Sequence, residues 1–145
     1  MNQRFFLTLA IVFLMSSCSD ALANACEEKS PTFVMDADGN KVKQGQEWTC
    51  HPNGSWRSAQ TWEAGKPHGK WTAWYENGAK ENEGEYRDGN LHGMVTYWYE
   101  NGAKKAEGEY RDGNLHGKWT VWHENGAKKL EGEYRDGKKH GIETA

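Results

Sequence analysis

A short unit repeated at constant spacing is the feature that most restricts what this chain can fold into. The dipeptide His-Gly marks the spacing, because it returns at His68, His92, His116 and His140. Between these dipeptides the motifs ENGA and EGEYRDG each occur three times at the same interval, beginning at Glu76 and Glu83. A repeat of this length is one supersecondary unit that contacts mainly its neighbours in an elongated array.

Each unit contains two turn signals separated by segments of strand length. One signal is Asn-Gly, as at Asn77, and we expect it to form a tight hairpin because both residues tolerate positive φ. The other is Arg-Asp-Gly, as at Arg87. The segment KWTAWY, from Lys70 to Tyr75, is rich in residues that favour strands. The sequence therefore predicts an all-β fold, a single-layer antiparallel meander of stacked hairpins.

The composition of the repeat region limits its core. From Gln44 to Lys139 the branched aliphatic residues are only Leu91, Val95, Leu115, Val121 and Leu130. A two-layer core cannot be built from so few aliphatic side chains. We therefore expect the aromatic residues to supply most of the buried apolar area.

Equivalent residues should align in rows across the sheet. Trp74, Trp98 and Trp122 form one row, with Thr72, Thr96 and Thr120 on the same face. Gly84, Gly108 and Gly132 form another row together with Tyr86, Tyr110 and Tyr134. A glycine inside a strand often marks a place where a neighbouring side chain covers the backbone, so we expect Trp or Tyr rings across these glycines. Which face of the first strand joins the tyrosines depends on loop length, and the sequence leaves it open.

The unit resembles the bacterial variant of the MORN repeat, with the pattern Y-x-x-G-x-x-x-G-x-W-x-x-W-x-x-N-G. Residues 86–102 and 110–126 carry this pattern, with Val95 in place of the first tryptophan in the middle unit. The resemblance covers about residues 44–145, with units at about 44–67, 68–91, 92–115 and 116–139 and a partial cap at 140–145. Chains similar to this one are labelled YwqK-family antitoxins, so the resemblance also implies an antitoxin or immunity role as an alternative.

The N-terminus is typical of a secretory signal peptide. A single arginine precedes an apolar run from Phe5 to Met15, which at about 1.5 Å per residue is too short to span a bilayer core of about 30 Å. LMSSC resembles a bacterial lipobox, which would make residues 1–17 the signal and Cys18 the lipidated N-terminus. The alternative is ordinary cleavage within ALANA, after residue 23 or 25. With Cys18 as the mature N-terminus, residues 18–43 would form an arm, with a hairpin within it as one interpretation. We expect a periplasmic or outer-membrane location.

The sequence has three cysteines, and two of them remain as thiols once Cys18 is lipidated or removed with the signal peptide. An oxidising compartment favours pairing of the remaining Cys26 and Cys50. This pairing would close a loop of about 25 residues and stabilise the fold by about 3 kcal/mol.

Sites for metal ions or catalysis are not indicated. Equivalent histidines in successive hairpins would lie about 10 Å apart, too far to share an ion. The segment from Asp36 to Lys41 begins like a calcium loop but has Lys41 where glycine is needed, so a hairpin turn between Val34 and Val42 is favoured. No nucleophile–base set stands out, and we expect no enzyme activity, cofactor or metal.

The aromatic rows are the best candidate for function, because exposed Trp and Tyr are favoured in recognition surfaces. The candidate binding strip beside the Asn-Gly turns consists of Trp74, Tyr75, Trp98, Tyr99, Trp122 and His123. We expect an interaction or scaffold module with a protein partner, and membrane attachment through Cys18. An envelope glycan is the alternative ligand, and the small net charge of −3 does not favour nucleic acid.

Overall fold

The computed structural model describes residues 26–141 as one open antiparallel sheet. Its strands are β1 (Thr32–Met35), β2 (Lys41–Cys50), β3 (Trp56–Glu63), β4 (Lys66–Trp74), β5 (Lys80–Arg87), β6 (Asn90–Leu91), β7 (Gly93–Trp98), β8 (Lys104–Arg111), β9 (Asn114–Trp122), β10 (Lys128–Arg135) and β11 (Lys138–Lys139). The strands follow one another in a meander, with β6 pairing β5 just before β7 begins. The predicted fold class is confirmed.

The signal peptide, Cys18, the alternative cleavage sites and the last residues of the cap lie outside the described residues. Within residues 26–141 there is no helix with the length and apolar character needed to cross a bilayer.

The Asp-Gly turns connect strands through tight hairpins. Arg87 pairs with Asn90 across the first of them, and both central residues have positive φ, 51° at Asp88 and 88° at Gly89. Two central residues with positive φ define the type I′ turn, whose twist matches that of the flanking strands. The same turn recurs at Asp112 and Asp136.

The Asn-Gly loops are longer than the sequence suggested. Trp98 pairs with Lys104, so residues 99–103 connect the strands, and only Gly102 among them has positive φ, at 81°. Both residues tolerate positive φ, but only the glycine adopts it here. The asparagine instead uses its side chain, because Asn101 Oδ1 accepts the backbone N–H of Ala103 at 2.8 Å.

The strand register assigns each residue type to one side of the sheet. Trp71 lies opposite Gly84 and Ala73 lies opposite Asn82, and residues directly opposite on paired strands share a face. We call this side the glycine face; it comprises Trp71, Ala73, Asn82, Gly84, Tyr86 and their equivalents in the later repeats. The other side, the tryptophan–lysine face, comprises Thr72, Trp74, Lys80, Glu83 and their equivalents.

The glycine face packs against its own backbone. A Cβ placed on Gly108 would lie 2.6 Å from Cε3 of Trp119, so the indole lies directly on that glycine. At Gly84 the covering residue is Val95, which is fully buried at 0% exposure. The expected aromatic cover is therefore present at Gly108, whereas at Gly84 a valine takes its place.

Edge-to-face ring contacts form both within and between repeats on the glycine face. Trp119 contacts both Tyr97 and Tyr110, with ring centroids 6.2 and 6.4 Å apart, and Trp71 contacts Tyr86 at 5.8 Å. This T-shaped arrangement is a favourable geometry for aromatic pairs. The core is thus a row of rings and glycines along one side of the sheet.

The N-terminal arm is attached to the sheet by a disulfide and a hairpin. Cys26 and Cys50, the pair indicated by the cysteine count, are joined with their Cα atoms 5.8 Å apart. Val34 pairs with Val42 across the β1–β2 turn. In that turn Asp36 Oδ1 accepts the N–H groups of Asp38 and Asn40, and the bond from Asn40 contributes most to lowering the pKa of this carboxyl group. Asp36 thus serves as a turn residue.

Candidate binding face

The structure brings the candidate binding strip together along the edge formed by the Asn-Gly loops. Trp74, Trp98 and Trp122 end strands β4, β7 and β9 and are partly buried. Thr120 and Trp122 line the same groove, which agrees with the expectation that the threonine and tryptophan rows share a face. His123 is exposed.

The tyrosines of the strip bind the backbone of the following repeat. The Tyr75 hydroxyl donates to the carbonyl oxygen of Trp98 at 2.8 Å, and the Tyr99 hydroxyl donates to that of Trp122 at 2.8 Å. In the first, divergent repeat, His51 Nε2 occupies the same place, 2.7 Å from the Trp74 carbonyl oxygen. These three side chains therefore connect neighbouring repeats, and the two tyrosine hydroxyl groups are already used within the fold.

A second row of bonds runs beside the first and was not anticipated from the sequence. The amide nitrogens of Asn53, Asn77 and Asn101 donate to the carbonyl oxygens of Glu76, Glu100 and Glu124, respectively, at 2.9, 2.9 and 3.3 Å. Each asparagine thus shapes its own loop and also holds the next one. The signal in the sequence was the strict return of Asn-Gly once in every repeat, which specifies a bond between loops as well as a turn.

On the tryptophan–lysine face, each of two rings is covered by a lysine that also forms an ion pair. Lys80 Nζ lies 5.2 Å from the Trp98 ring centroid and 2.9 Å from a carboxylate oxygen of Glu83. One repeat later, Lys104 lies over Trp122 at 5.5 Å and contacts Glu107 at 2.6 Å. An ammonium group within about 6 Å of an indole centroid is attracted by the ring quadrupole. This arrangement restricts the ring and the lysine together.

A shallow groove of about 240 Å³ follows this face near its C-terminal end. Its lining includes Met94, Trp122, Thr120, Lys118 and Glu131. Met94 is 59% exposed, whereas Thr120 is buried at the base. The hydrogen bonds and charges of the adjoining lysines, Lys118 first, lower the pKa of the Glu131 carboxyl group, so it is an anion at neutral pH. The groove therefore presents apolar area edged by paired charges.

The glycine face offers less to a ligand, because its rings pack on each other. Burial raises the pKa of Tyr97 to about 12, with smaller contributions from the neighbouring Tyr110. Burial also raises the pKa of Tyr86, on the same face. These hydroxyl groups stay neutral at physiological pH and belong to the interior of the array.

The repeated histidines lie beside the Asp-Gly turns and not beside one another. His92 Nδ1 is 3.8 Å from Asp112 Oδ1, and His116 Nδ1 is 3.6 Å from Asp136 Oδ1. Across the described residues there is no cluster of three or more His, Cys, Asp or Glu side chains arranged for a metal ion. Each of these two histidines thus faces the Asp-Gly turn at the end of its own repeat.

Two family models match the repeat region of this chain. The MORN repeat variant family matches residues 67–88, 91–112 and 115–136, and the MORN repeat family matches residues 107–118 and 131–142. No curated protein shows a significant match. A solved structure of accessory secretory protein 1, 2 and 3 from Streptococcus pneumoniae aligns at 12% identity and a TM-score of 0.36, covering 80% of this chain and 22% of that one. This chain thus spans about a fifth of the length of that protein.

The family matches coincide with the hairpins described above. Each variant match ends at an Asp-Gly turn and contains one complete hairpin with its Asn-Gly loop. The second and third matches begin just after the preceding Asp-Gly turn, whereas the first begins just after the turn at Ala64 and Gly65. The divergent copy at about residues 44–67 precedes the first match, yet it has the same loop contact through Asn53. MORN repeats are thus detected in this chain from residue 67 onward, in the hairpins that follow the divergent copy.

Proposed function

We propose that this chain is an exported, lipid-anchored and non-catalytic protein of the cell envelope that binds a protein partner across its tryptophan–lysine face. Proteins built from MORN repeats are generally scaffold or interaction modules, and the repeats detected here support that class of function. A regular sheet of this kind also offers a long surface on which a partner can be bound over several repeats.

One observation supports the tryptophan–lysine face as the binding face. Trp98 and Trp122 are held in place by lysine ammonium groups, and the largely exposed Met94 lies on the same face. Ordered aromatic side chains lose little conformational entropy on binding, which is why they dominate the energetics of many interfaces. On the opposite face the rings pack against one another, and Trp119 also covers Gly108. The tyrosine members of the candidate strip contribute by bracing the repeats.

Export and anchoring are proposed from the N-terminal sequence. The apolar run from Phe5 to Met15 ends directly against Ser16, Ser17 and Cys18, as a lipobox requires. A disulfide between Cys26 and Cys50 suits an oxidising compartment. Mass spectrometry of the mature N-terminus tests this proposal. A diacylated Cys18 supports anchoring, whereas a free N-terminus after residue 23 or 25 would replace it with a released protein.

Site-specific crosslinking tests the binding face. A photo-reactive amino acid at Met94 should crosslink one defined protein in envelope preparations, and Trp98→Ala should reduce that yield several-fold with modest unfolding. The matched control carries the same photo-reactive amino acid at Lys138, which is exposed at the end of the sheet. Equal crosslinking from both positions would contradict the proposal. Loss of the whole fold on Trp98→Ala would instead assign that ring to the core.

Glycan binding is the second candidate, because the tryptophan row has a regular spacing. Trp74, Trp98 and Trp122 recur every second strand, roughly 10 Å apart at the usual strand separation. That distance corresponds to about every second sugar of an extended polysaccharide. Retention of the protein on an envelope polysaccharide, lost on Trp98→Ala, would favour this candidate over a protein partner.

A further inference from the structure

The repeats on the tryptophan–lysine face show how this fold holds an ammonium group. Lys80 and Lys104 each lie between a tryptophan ring and a glutamate carboxylate. These lysines occupy the same position in consecutive repeats. The equivalent position one repeat before Lys80 is Trp56, so the first repeat has an aromatic ring where the later repeats have a cation.

A second change accompanies the first. The position equivalent to Thr72 holds Trp48, and the indole rings of Trp48 and Trp56 meet edge to face with centroids 4.9 Å apart. None of the cation–π contacts within the described residues involves Trp48 or Trp56. The first repeat therefore presents two aromatic surfaces on the face where the later repeats present their own ammonium groups.

The N-terminal arm supplies the carboxylates that the first repeat lacks. Ala59 replaces the glutamate found at Glu83. Glu27 and Glu28, both exposed, line a pocket of about 430 Å³ together with Trp48, Trp56, Lys29 and Gln46. The disulfide of Cys26 and the paired backbone bonds between Lys29 and Trp48 hold the arm in this position.

The charge of the pocket is complementary to a cation. Two carboxylates and one ammonium group line it, and Lys29 Nζ donates to Gln46 Oε1 at 3.1 Å, so that ammonium group has a partner within the chain. Aromatic rings combined with carboxylates are the usual means of binding alkylated ammonium groups. We infer that the pocket between Trp48, Trp56 and the arm binds an alkylammonium group, as carried by a lysine side chain or a trimethylated amine. The inference stands on the first repeat alone and does not depend on the partner proposed for Trp98 and Trp122.

Titration with choline and its uncharged isostere tests the inference. The indole N–H signals of Trp48 and Trp56 are followed by NMR at low salt as choline, 3,3-dimethylbutan-1-ol or Nα-acetyl-lysine methylamide is added. We expect saturable shifts of these two signals with a charged probe and no saturation with the alcohol. The charged probe that binds more tightly identifies the source of the group. Equal shifts with choline and the alcohol, or no shift with either charged probe, would overturn the inference.

Two variants keep the test independent of folding. Trp56→Lys restores the residue of the later repeats, and its own ammonium group should abolish choline binding. Glu27→Gln combined with Glu28→Gln changes only exposed side chains and should weaken binding about five-fold at low salt, with a smaller effect at high salt. Glu133→Gln is the matched control, because that exposed glutamate lies far along the sheet. Unchanged affinity in the double variant would contradict the role given to the arm.

Discussion

The contact between Trp119 and Gly108 gives the sharpest test of how this sheet is stabilised. A methyl group added by Gly108→Ala would lie 2.6 Å from Trp119 Cε3 and 3.0 Å from the Lys118 carbonyl oxygen. Real Cβ atoms do not approach other atoms so closely, so the indole or the strand has to move. Overpacking of this kind typically costs about 1–3 kcal/mol. The backbone φ of Gly108 is not positive, so the steric contact is the dominant penalty.

Two other glycines in the same row allow the effect of Gly108→Ala to be compared with that of weaker contacts. At Gly84 the added Cβ would meet Val95 Cγ2 at 3.1 Å, which a small shift can relieve. At Gly132 the nearest atom is Tyr134 Cε2 at 3.6 Å, an ordinary contact. Replacing a glycine with alanine without strain stabilises a protein by about 0.4–1 kcal/mol through the unfolded chain. We therefore expect Gly108→Ala to be the least stable, Gly84→Ala intermediate, and Gly132→Ala equal to or above the wild type.

Thermal and chemical unfolding of the three variants measure this order. At about 4 °C per kcal/mol, Gly108→Ala should lower Tm by roughly 8 °C if the cost is about 2 kcal/mol. Trp119→Val, which copies Val95, should recover part of the loss in a double mutant, because it removes the ring from the added methyl group. Similar destabilisation at Gly108 and Gly132 would refute the reasoning, since it would point to the backbone and not to the covering ring.

Three further perturbations test other parts of the structure. Reduction of the Cys26–Cys50 disulfide, or Cys50→Ser, should lower the free energy of unfolding by about 3 kcal/mol in the chain-entropy model. Thermal melting with and without reductant measures this loss. An unchanged Tm would indicate that the arm contributes nothing to the folding of the sheet. Tyr99→Phe removes the hydroxyl group that donates to the Trp122 carbonyl oxygen, and it should lower the free energy of unfolding in urea by about 1 kcal/mol. Tyr134→Phe serves as the control for removal of a tyrosine hydroxyl group. Because the pKa of Tyr97 rises to about 12 in the folded state, its contribution to stability should be complete below pH 10 and lost as pH rises to 12. Stability measured across this range should fall less in Tyr97→Phe, and an identical fall in both proteins would contradict the burial of Tyr97.

Much of the architecture could be predicted from the sequence, because the same turn and strand residues recur in every repeat. The positions of the two turns and the meander follow from residues such as Asp88 and Gly89 that allow few alternatives, and the Cys26–Cys50 pair followed from the cysteine count. The contacts between repeats were harder to predict. Tyr99 and Asn101 were interpreted as a binding residue and a turn residue, and both also donate to the backbone of the next repeat.

The composition of the candidate site was predicted only in part. The tryptophan row was named from the sequence, but the lysines that cover Trp98 and Trp122 were not. Each lysine is distant from its tryptophan along the chain, so the two meet only because β5 and β7, or β8 and β9, are adjacent in the sheet. Likewise, Glu27 reaches the pocket near Trp56 because a disulfide places the arm there.

The sequence alone determined that this chain forms a meander. Each repeat is short and contains two turns at constant spacing, so its two strands can pair only with each other and with the strands of neighbouring repeats. Only the tertiary structure decided which side of the sheet each ring occupies. Side chains alternate along a strand, so one residue more or less in a loop moves a whole row to the other face. The connection through residues 99–103, and its equivalents in the other repeats, thereby placed Trp71, Val95 and Trp119 on the glycine face and left Trp74, Trp98 and Trp122 on the opposite face with the lysines.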